Sequence, residues 1–360
     1  MRAPEDGGKD HPRRETLGTA SFHRSLTVVD GHCDLPLVLN AEADAKGIVP
    51  PLGETQVGRA IREGAVDVVI APTFVELEFM AEGALRRALL AYMRLEESVR
   101  KSGDDFVMAA SGASLREAVA EGRTAIVHGL EGVGPLGYDP ALLEVFVRLG
   151  ARVVGLTWNE RNAFASGMKQ DDREGLSPLG KALVKEGDRL GVIFDVSHLN
   201  ERSFWDLLEA TARPVVASHS NCRALFDHGR NLTDAQIHAL AERGGLISLM
   251  IQSFVLSTEI ASLEDFLRHI DHAVDLAGVE RVGIGYDFIH FVESLETMKM
   301  DYLPPAAPPP ENAHKTVREL PTHAGLPRLT EALLNRGYSE TDTGRLMGGN
   351  WFNFLTRTLP

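Results

Sequence analysis

The chain has 360 residues, 44% of them hydrophobic and 24% charged, with a formal net charge of −14. That is the composition of a soluble globular protein, long enough for one large α/β barrel or two smaller domains. The acidic balance excludes the clustered Lys and Arg that a nucleic-acid partner requires, and two cysteines, Cys33 and Cys222, provide no disulfide framework.

The stretch Met1–Ser21 is polar, with charges of both signs and no apolar core, so neither a signal peptide nor a membrane anchor is expected. Residues 1–24 read as a flexible lead-in, and 25–360 as a single domain of a cytoplasmic enzyme. Beyond the lead-in, short β-branched apolar runs alternate with segments of helical period. Strands are predicted over Leu26–Val29, Val66–Ala71, Thr124–Val127, Val153–Leu156, Val192–Val196, Val215–Ala217, Leu246–Leu249 and Val282–Ile284. Between them the spacing predicts helices over Ala81–Arg100, Pro178–Leu190, Glu201–Ala210, Asp234–Glu242 and Leu263–Ala277. Ser177 and Thr233 stand where side-chain caps are needed, and Gly150, Gly191, Gly244 and Gly278 where a helix ends in left-handed backbone.

Repeated β-then-α units mean a parallel sheet, and about eight of them suggest a closed (β/α)8 TIM barrel. An open doubly wound sheet is disfavoured because no Gly-x-Gly-x-x-Gly turn opens the first helix. After the last strand the Pro-rich stretch Asp301–Pro321 reads as an extended segment, followed by C-terminal helices over Leu326–Arg336, Glu340–Met347 and Asn350–Leu355.

In such a barrel, function belongs at the C-terminal ends of the strands. The first predicted strand ends in His32-x-Asp34, whose side chains leave a strand on the same side. The others run into His128-Gly129-Leu130-Glu131, Thr157-Trp158-Asn159, Asp195-Val196-Ser197-His198, Ser218-His219-Ser220 and Gly285-Tyr286-Asp287. Two histidines, an Asp and a Glu, with a further Asp, are what a two-metal hydrolytic centre needs: N and O ligands for Zn²⁺, a bridging carboxylate and a proton carrier. Taken alone, His32 and Asp34 fit a strand-end turn as well as a metal site, and Glu131 fits a solvated loop.

Asp30-Gly31-His32-x-Asp34-Leu35-Pro36 resembles the opening of the membrane (renal-type) dipeptidases, the M19 metallopeptidases. So do Glu131-Gly132, Asp195-Val196-Ser197-His198, Ser218-His219-Ser220, Arg230-Asn231 and Gly283-Ile284-Gly285-Tyr286-Asp287-Phe288, over nearly the whole chain. The resemblance implies a dipeptidase with two zinc ions per chain, His32 and Asp34 binding one, His198 and His219 the other, and Glu131 bridging both. A hydroxide between the metals would attack the amide carbonyl of a small dipeptide. Asp287 would shuttle the proton and Arg230 hold the substrate's C-terminal carboxylate through its planar fork. The resemblance also suggests a homodimer.

The departures from the family fall in the substrate pocket, which is expected to include Arg230, Asp287, Trp158, Asn159 and Gln252. Family dipeptidases carry a Leu-Thr-His run after the fourth strand; here it is Leu156-Thr157-Trp158, and an indole N–H donates one hydrogen bond but cannot be protonated. Ile251-Gln252-Ser253-Phe254 and Asp287-Phe288-Ile289-His290 differ as well. These changes keep two alternatives open, a related amidohydrolase acting on an N-acyl amino acid, lactam or lactone, and a non-catalytic barrel. Arg230 could also pair with Asp227 or Asp234 at the surface. His128 and His228 read as ordinary hydrogen-bonded histidines, His290 as a pocket residue, and Cys33 as a small buried hydrophobe pointing away from the metals.

Overall fold

The computed structural model describes residues 18–80, 83–288 and 315–360. The nine strands found there pair in parallel throughout: β1 Val29–Asp30, β2 Val68–Phe74, β3 Phe106–Met108, β4 Thr124–Glu131, β5 Val153–Gly155, β6 Ile193–Asp195, β7 Val216–Ala217, β8 Leu246–Leu249 and β9 Val282–Ile284. Eight of them follow the order β1-β2-β4-β5-β6-β7-β8-β9. The ends of that path meet, because Gly31 N–H donates to the Ile284 carbonyl at 2.9 Å and Asp287 N–H to the His32 carbonyl at 3.0 Å. The result is the expected TIM barrel, a nearly closed parallel barrel flanked by helices.

The strand β3 is not among the predicted ones. Three residues are too few to show a period, and β3 pairs only with Thr124–Ile126 at the start of β4, while β5 takes Gly129–Glu131 further along. Helices over Pro178–Leu190, Glu201–Ala210, Asp234–Glu242 and Leu263–Ala277 occupy the predicted ranges. Their starts are fixed by side chains: Ser177 accepts from Gly180 N–H, and Thr233 forms a reciprocal capping box with Gln236. The four glycines expected to end helices all have positive φ. The helix predicted over 340–347 stops at Gly344, and a π turn, Arg345–Gly349, kinked at Gly348, leads into Asn350–Thr358. Thr19–Arg24, assigned above to the lead-in, is helical; its buried His23 reaches Thr330 Oγ1 at 2.7 Å and the Gly64 carbonyl at 3.0 Å. The earlier part of the lead-in, most of the Pro-rich stretch, Ile289 and His290 lie outside the described residues.

Two apolar cores flank the sheet. One packs the outward strand faces against the helices. The other gathers Val29, Val68, Val127, Val153, Ile193 and Leu246, from six different strands, around Trp351, Phe354 and Leu355 of the last helix. Only the interior of a closed sheet brings residues from strands that far apart together, so the last helix stoppers the barrel where its strands begin. Gly31 and Gly283 make room for the stopper, since a Cβ at either would lie within 3 Å of the Trp351 indole. Along β4 the inward set Ala125, Val127, Gly129 ends in Glu131, at the opposite mouth. Among the described residues no helix is long and apolar enough to cross a membrane.

Candidate metal centre

The side chains converge at and just beyond the strand ends: Glu131 closes β4, whereas His32 and Asp34 follow β1, His198 follows β6, His219 β7 and Asp287 β9, with Asp34 at the start of the helix Leu35–Lys46. Glu131 is buried, and its two oxygens face opposite neighbours: Oε2 is 3.7 Å from His32 Nε2, while Oε1 is 2.9 Å from His198 Nε2 and 3.6 Å from His219 Nε2. Asp34 Oδ1 lies 3.7 Å from His32 Nε2. Ligand atoms of His32, Glu131 and His219 fall within 4.8 Å of one another, as do those of His32, Asp34 and Asp287. Two residues of the site sit in backbone that L side chains rarely adopt, His198 at φ 70° and Asp287 at φ 53°.

The hydrogen bonds around the histidines fix where their protons are. Ser218 Oγ donates to Asp195 Oδ2, so it accepts from His219 Nδ1 at 2.6 Å. Asp195 is itself held by the N–H groups of Ser197 and Ser218, both at 2.9 Å to Oδ1. Asn159 Oδ1 accepts from His198 Nδ1 at 2.8 Å. Each imidazole therefore carries its proton on Nδ1 and turns a bare Nε2 lone pair inward. The two lone pairs face each other at 2.9 Å beside the Glu131 carboxylate. Two bare lone pairs that close repel unless a proton or a cation comes between them. His32 Nε2 and Asp34 Oδ1, both buried, find no hydrogen-bond partner. This donor set fits divalent cations that take N and O ligands.

The electrostatics agree. Burial opposes a charge on His32, but Glu131, Asp34 and Asp287 together outweigh it and raise its pKa to about 10. Burial pushes Glu131 far above the usual carboxylate range and Asp287 upward as well, with neighbouring carboxylates adding to both. Burial also drives His198 and His219 well below the ordinary imidazole value, with Arg230 and His32 contributing. A cluster in which carboxylates resist ionising and an imidazole resists losing its proton is short of positive charge.

The residues expected in the substrate pocket divide into two groups. Arg230 is buried rather than paired at the surface: its Nη2 donates to the His219 carbonyl at 3.0 Å, and Asp234 pairs instead with His272 at 2.8 Å. The Trp158 ring lies 6.1 Å from that of His198 and 5.2 Å from that of Phe74, with Lys169 Nζ 5.4 Å above it. Asn159 and Gln252 each bond a neighbouring residue of the site. Asn159 orients His198, and Gln252, fully buried, donates through Nε2 to the backbone carbonyl of Asp287. His128 is a buried histidine bonded to Thr73 Oγ1 at 2.9 Å and held near pKa 3 by burial; His228 Nδ1 accepts from the Arg230 N–H at 3.2 Å. Cys33 is buried in the outer apolar core. Asp195 and Ser218 were visible as strand-end residues, but their service to His219 needs β6 and β7 side by side, which no spacing reveals.

The family model described as membrane dipeptidase (peptidase family M19) matches residues 19–300. A protein of Klebsiella pneumoniae described as an uncharacterized protein in the pqqA 5′ region is 30% identical over 272 residues, 72% of this chain and 92% of that protein. Dipeptidase tcpJ of Claviceps purpurea is 27% identical over 333 residues, 90% of this chain and 69% of its own length. The solved structure of a metallopeptidase from Rhodobacter sphaeroides, liganded with a phosphinate mimic of the dipeptide L-Ala-D-Ala, superposes with a TM-score of 0.80 at 26% identity, covering 92% of this chain and 99% of that one.

Proposed function

The chain belongs to the membrane dipeptidase family, peptidase family M19, and from that premise we propose that it is a zinc-dependent dipeptidase hydrolysing the amide bond of small dipeptides. The observation that carries the reading is the set of inward, unprotonated Nε2 atoms of His198 and His219 against Glu131, with His32 Nε2 and Asp34 Oδ1 left without partners. His32 and Asp34 would hold one zinc ion, His198 and His219 the second, and Glu131 would serve both. Bound there, the pair would acidify a water molecule and polarise the scissile carbonyl.

The chain's own residues do the rest. Asp287 has burial on its side in keeping a proton, and its carboxyl lies within reach of His32 and Asp34. It would take the proton from the attacking water and return it to the leaving amine nitrogen. Arg230, buried and, among the described residues, with one side-chain hydrogen bond, to a backbone carbonyl, would offer its remaining N–H groups to the substrate's terminal carboxylate. Trp158 would close the side of the pocket next to His198. The free thiols Cys33 and Cys222 suit a reducing, cytoplasmic setting.

The test is an assay of L,L- and L,D-dipeptides before and after removal of metal by a chelator, then after zinc is restored. The expected result is turnover that vanishes with the metal and returns with it. Full activity of the metal-free protein would sink the reading, and turnover of an N-acyl amino acid with no dipeptide cleaved would move it to a related amidohydrolase.

A further inference from the structure

Behind the proposed metal centre lies a second cluster of chemistry-bearing side chains, Asp30, Cys33 and His323, whose ligand-type atoms fall within 4.8 Å of one another. All three residues are buried. Cys33 is a neutral thiol, raised well above its usual pKa by burial and by Asp30, which argues against a thiolate ligand. The significant pair is Asp30 with His323.

The Asp30 carboxylate takes hydrogen bonds from three separate parts of the chain. Oδ1 accepts from His32 N–H at 3.0 Å and from Tyr286 N–H at 2.9 Å, and Oδ2 accepts from His323 Nε2 at 2.7 Å. Tyr286 adjoins Asp287, so Asp30 stitches the strand end carrying His32 to the one carrying Asp287, across the seam that closes the barrel. The Asp287 N–H to His32 carbonyl bond runs alongside it. His323 is packed with its ring centroid 4.0 Å from that of Phe288 and edge-on to Tyr286. For stability alone, a fully buried imidazole–carboxylate pair is a poor choice, because apolar residues of similar volume often do as well. What it adds here is a fixed direction for both backbone amides.

We propose that His323 is a positioning residue: through Asp30 it holds His32 and Asp287 at one spacing, and so sets the geometry of one side of the metal centre. The proposal rests on the roles given above to His32 and Asp287. It reaches beyond them, because it makes a residue from the C-terminal part of the chain, 293 positions from Asp30, a determinant of metal affinity.

The experiment compares wild type, His323→Leu and His323→Gln. Each protein is stripped of metal and titrated with Co²⁺ against a competing chelator while the visible spectrum is followed, and kcat and KM are measured on a dipeptide the wild type cleaves. In His323→Leu one cation equivalent is expected to weaken by about 10–100-fold, with an altered spectrum, and the other to stay within about twofold. On the same substrate kcat should fall about as far while KM holds. Gln keeps an N–H donor for Asp30 and should recover most of the loss. If His323→Leu does not fold, His323→Phe decides, since its ring fills the imidazole's place but offers Asp30 no donor; the same selective loss is expected. A folded variant with both equivalents, spectrum and kcat as in wild type overturns the proposal whatever its melting temperature. A wild-type chain that takes up no cation overturns the reading of the site itself, and the proposal with it.

Discussion

Where the barrel strands begin, inward valines and isoleucines close on Trp351, Phe354 and Leu355, all essentially inaccessible. Where the strands end, the same inward-facing direction delivers Glu131, three imidazoles and two further carboxylates, with buried polar atoms left unpaired and two residues in left-handed backbone. One sheet thus supports two kinds of interior. The floor gains stability from apolar area removed from water, about 25 cal/mol per Å². The mouth gives up some of that stability, since each unpaired buried group and each strained φ is unfavourable by itself. Such violations persist where the surroundings over-determine them. The floor has some too, Trp351 Nε1 without a hydrogen-bond partner among the described residues and Ala65 at φ 51°. It is therefore the convergence of imidazoles and carboxylates that marks the end of the barrel that does chemistry.

The largest effect expected on stability comes from the floor. Trp351→Ala should lower the unfolding free energy by about 3–5 kcal/mol, because the cavity is walled by glycines and short valines that cannot collapse into it. Activity per folded molecule should stay within about twofold of wild type. Urea denaturation alongside active-site titration separates the two quantities. A variant that folds normally but has lost its activity would erase the division of labour between the ends.

A smaller effect, of opposite character, is expected at the mouth. Ser218→Ala removes the hydroxyl between Asp195 and His219, freeing the imidazole to rotate or to move its proton to Nε2. Metal affinity should fall by about 10–100-fold, with the melting temperature of the metal-free protein little changed. Chelator competition measures the first and calorimetry the second. Equal loss of metal-free stability would mean that the Asp195–Ser218–His219 chain is packing rather than orientation.

The two ends also differ in how far they can be read from sequence. The His32–Asp34 pair is legible because the two residues are close in the chain; the strand itself stops at Asp30 and Asp34 opens the next helix, yet their side chains do meet, at 3.7 Å. The helices with Ser177 and Thr233 caps are legible because caps are local. Asn159 and Gln252 sit at strand ends like the pocket residues, but they turn to His198 and to the Asp287 carbonyl, partners 39 and 35 residues away. Trp351 belongs to an amphipathic helix whose apolar face is visible in the sequence, whereas its target, the barrel interior, depends on Gly31 and Gly283 leaving space on two distant strands. Local chemistry is encoded locally; what a side chain leans on across the barrel is not.

The smallest effect tests whether the floor tolerates charge at all. Asp67, immediately before β2, is partly buried, and among the described residues its carboxylate accepts a single hydrogen bond, from Val28 N–H at 2.8 Å. At the mouth, Asp30 and Asp195 each accept three. With so little compensation, burial dominates and pushes the Asp67 pKa from 3.8 up to about 6. The folded protein therefore favours the protonated carboxyl more than the unfolded chain does. That contribution to stability is complete below the unfolded value near 3.8 and is lost as pH rises through about 6. Asparagine keeps an oxygen for Val28 N–H and cannot ionise. Asp67→Asn should therefore be more stable than wild type by about 1–2 kcal/mol at pH 8, after allowance for partial exposure. The gap should close toward pH 4, because every other carboxylate is common to both proteins and cancels. A gap that is flat in pH would show that the floor solvates this charge as well as the mouth does its own.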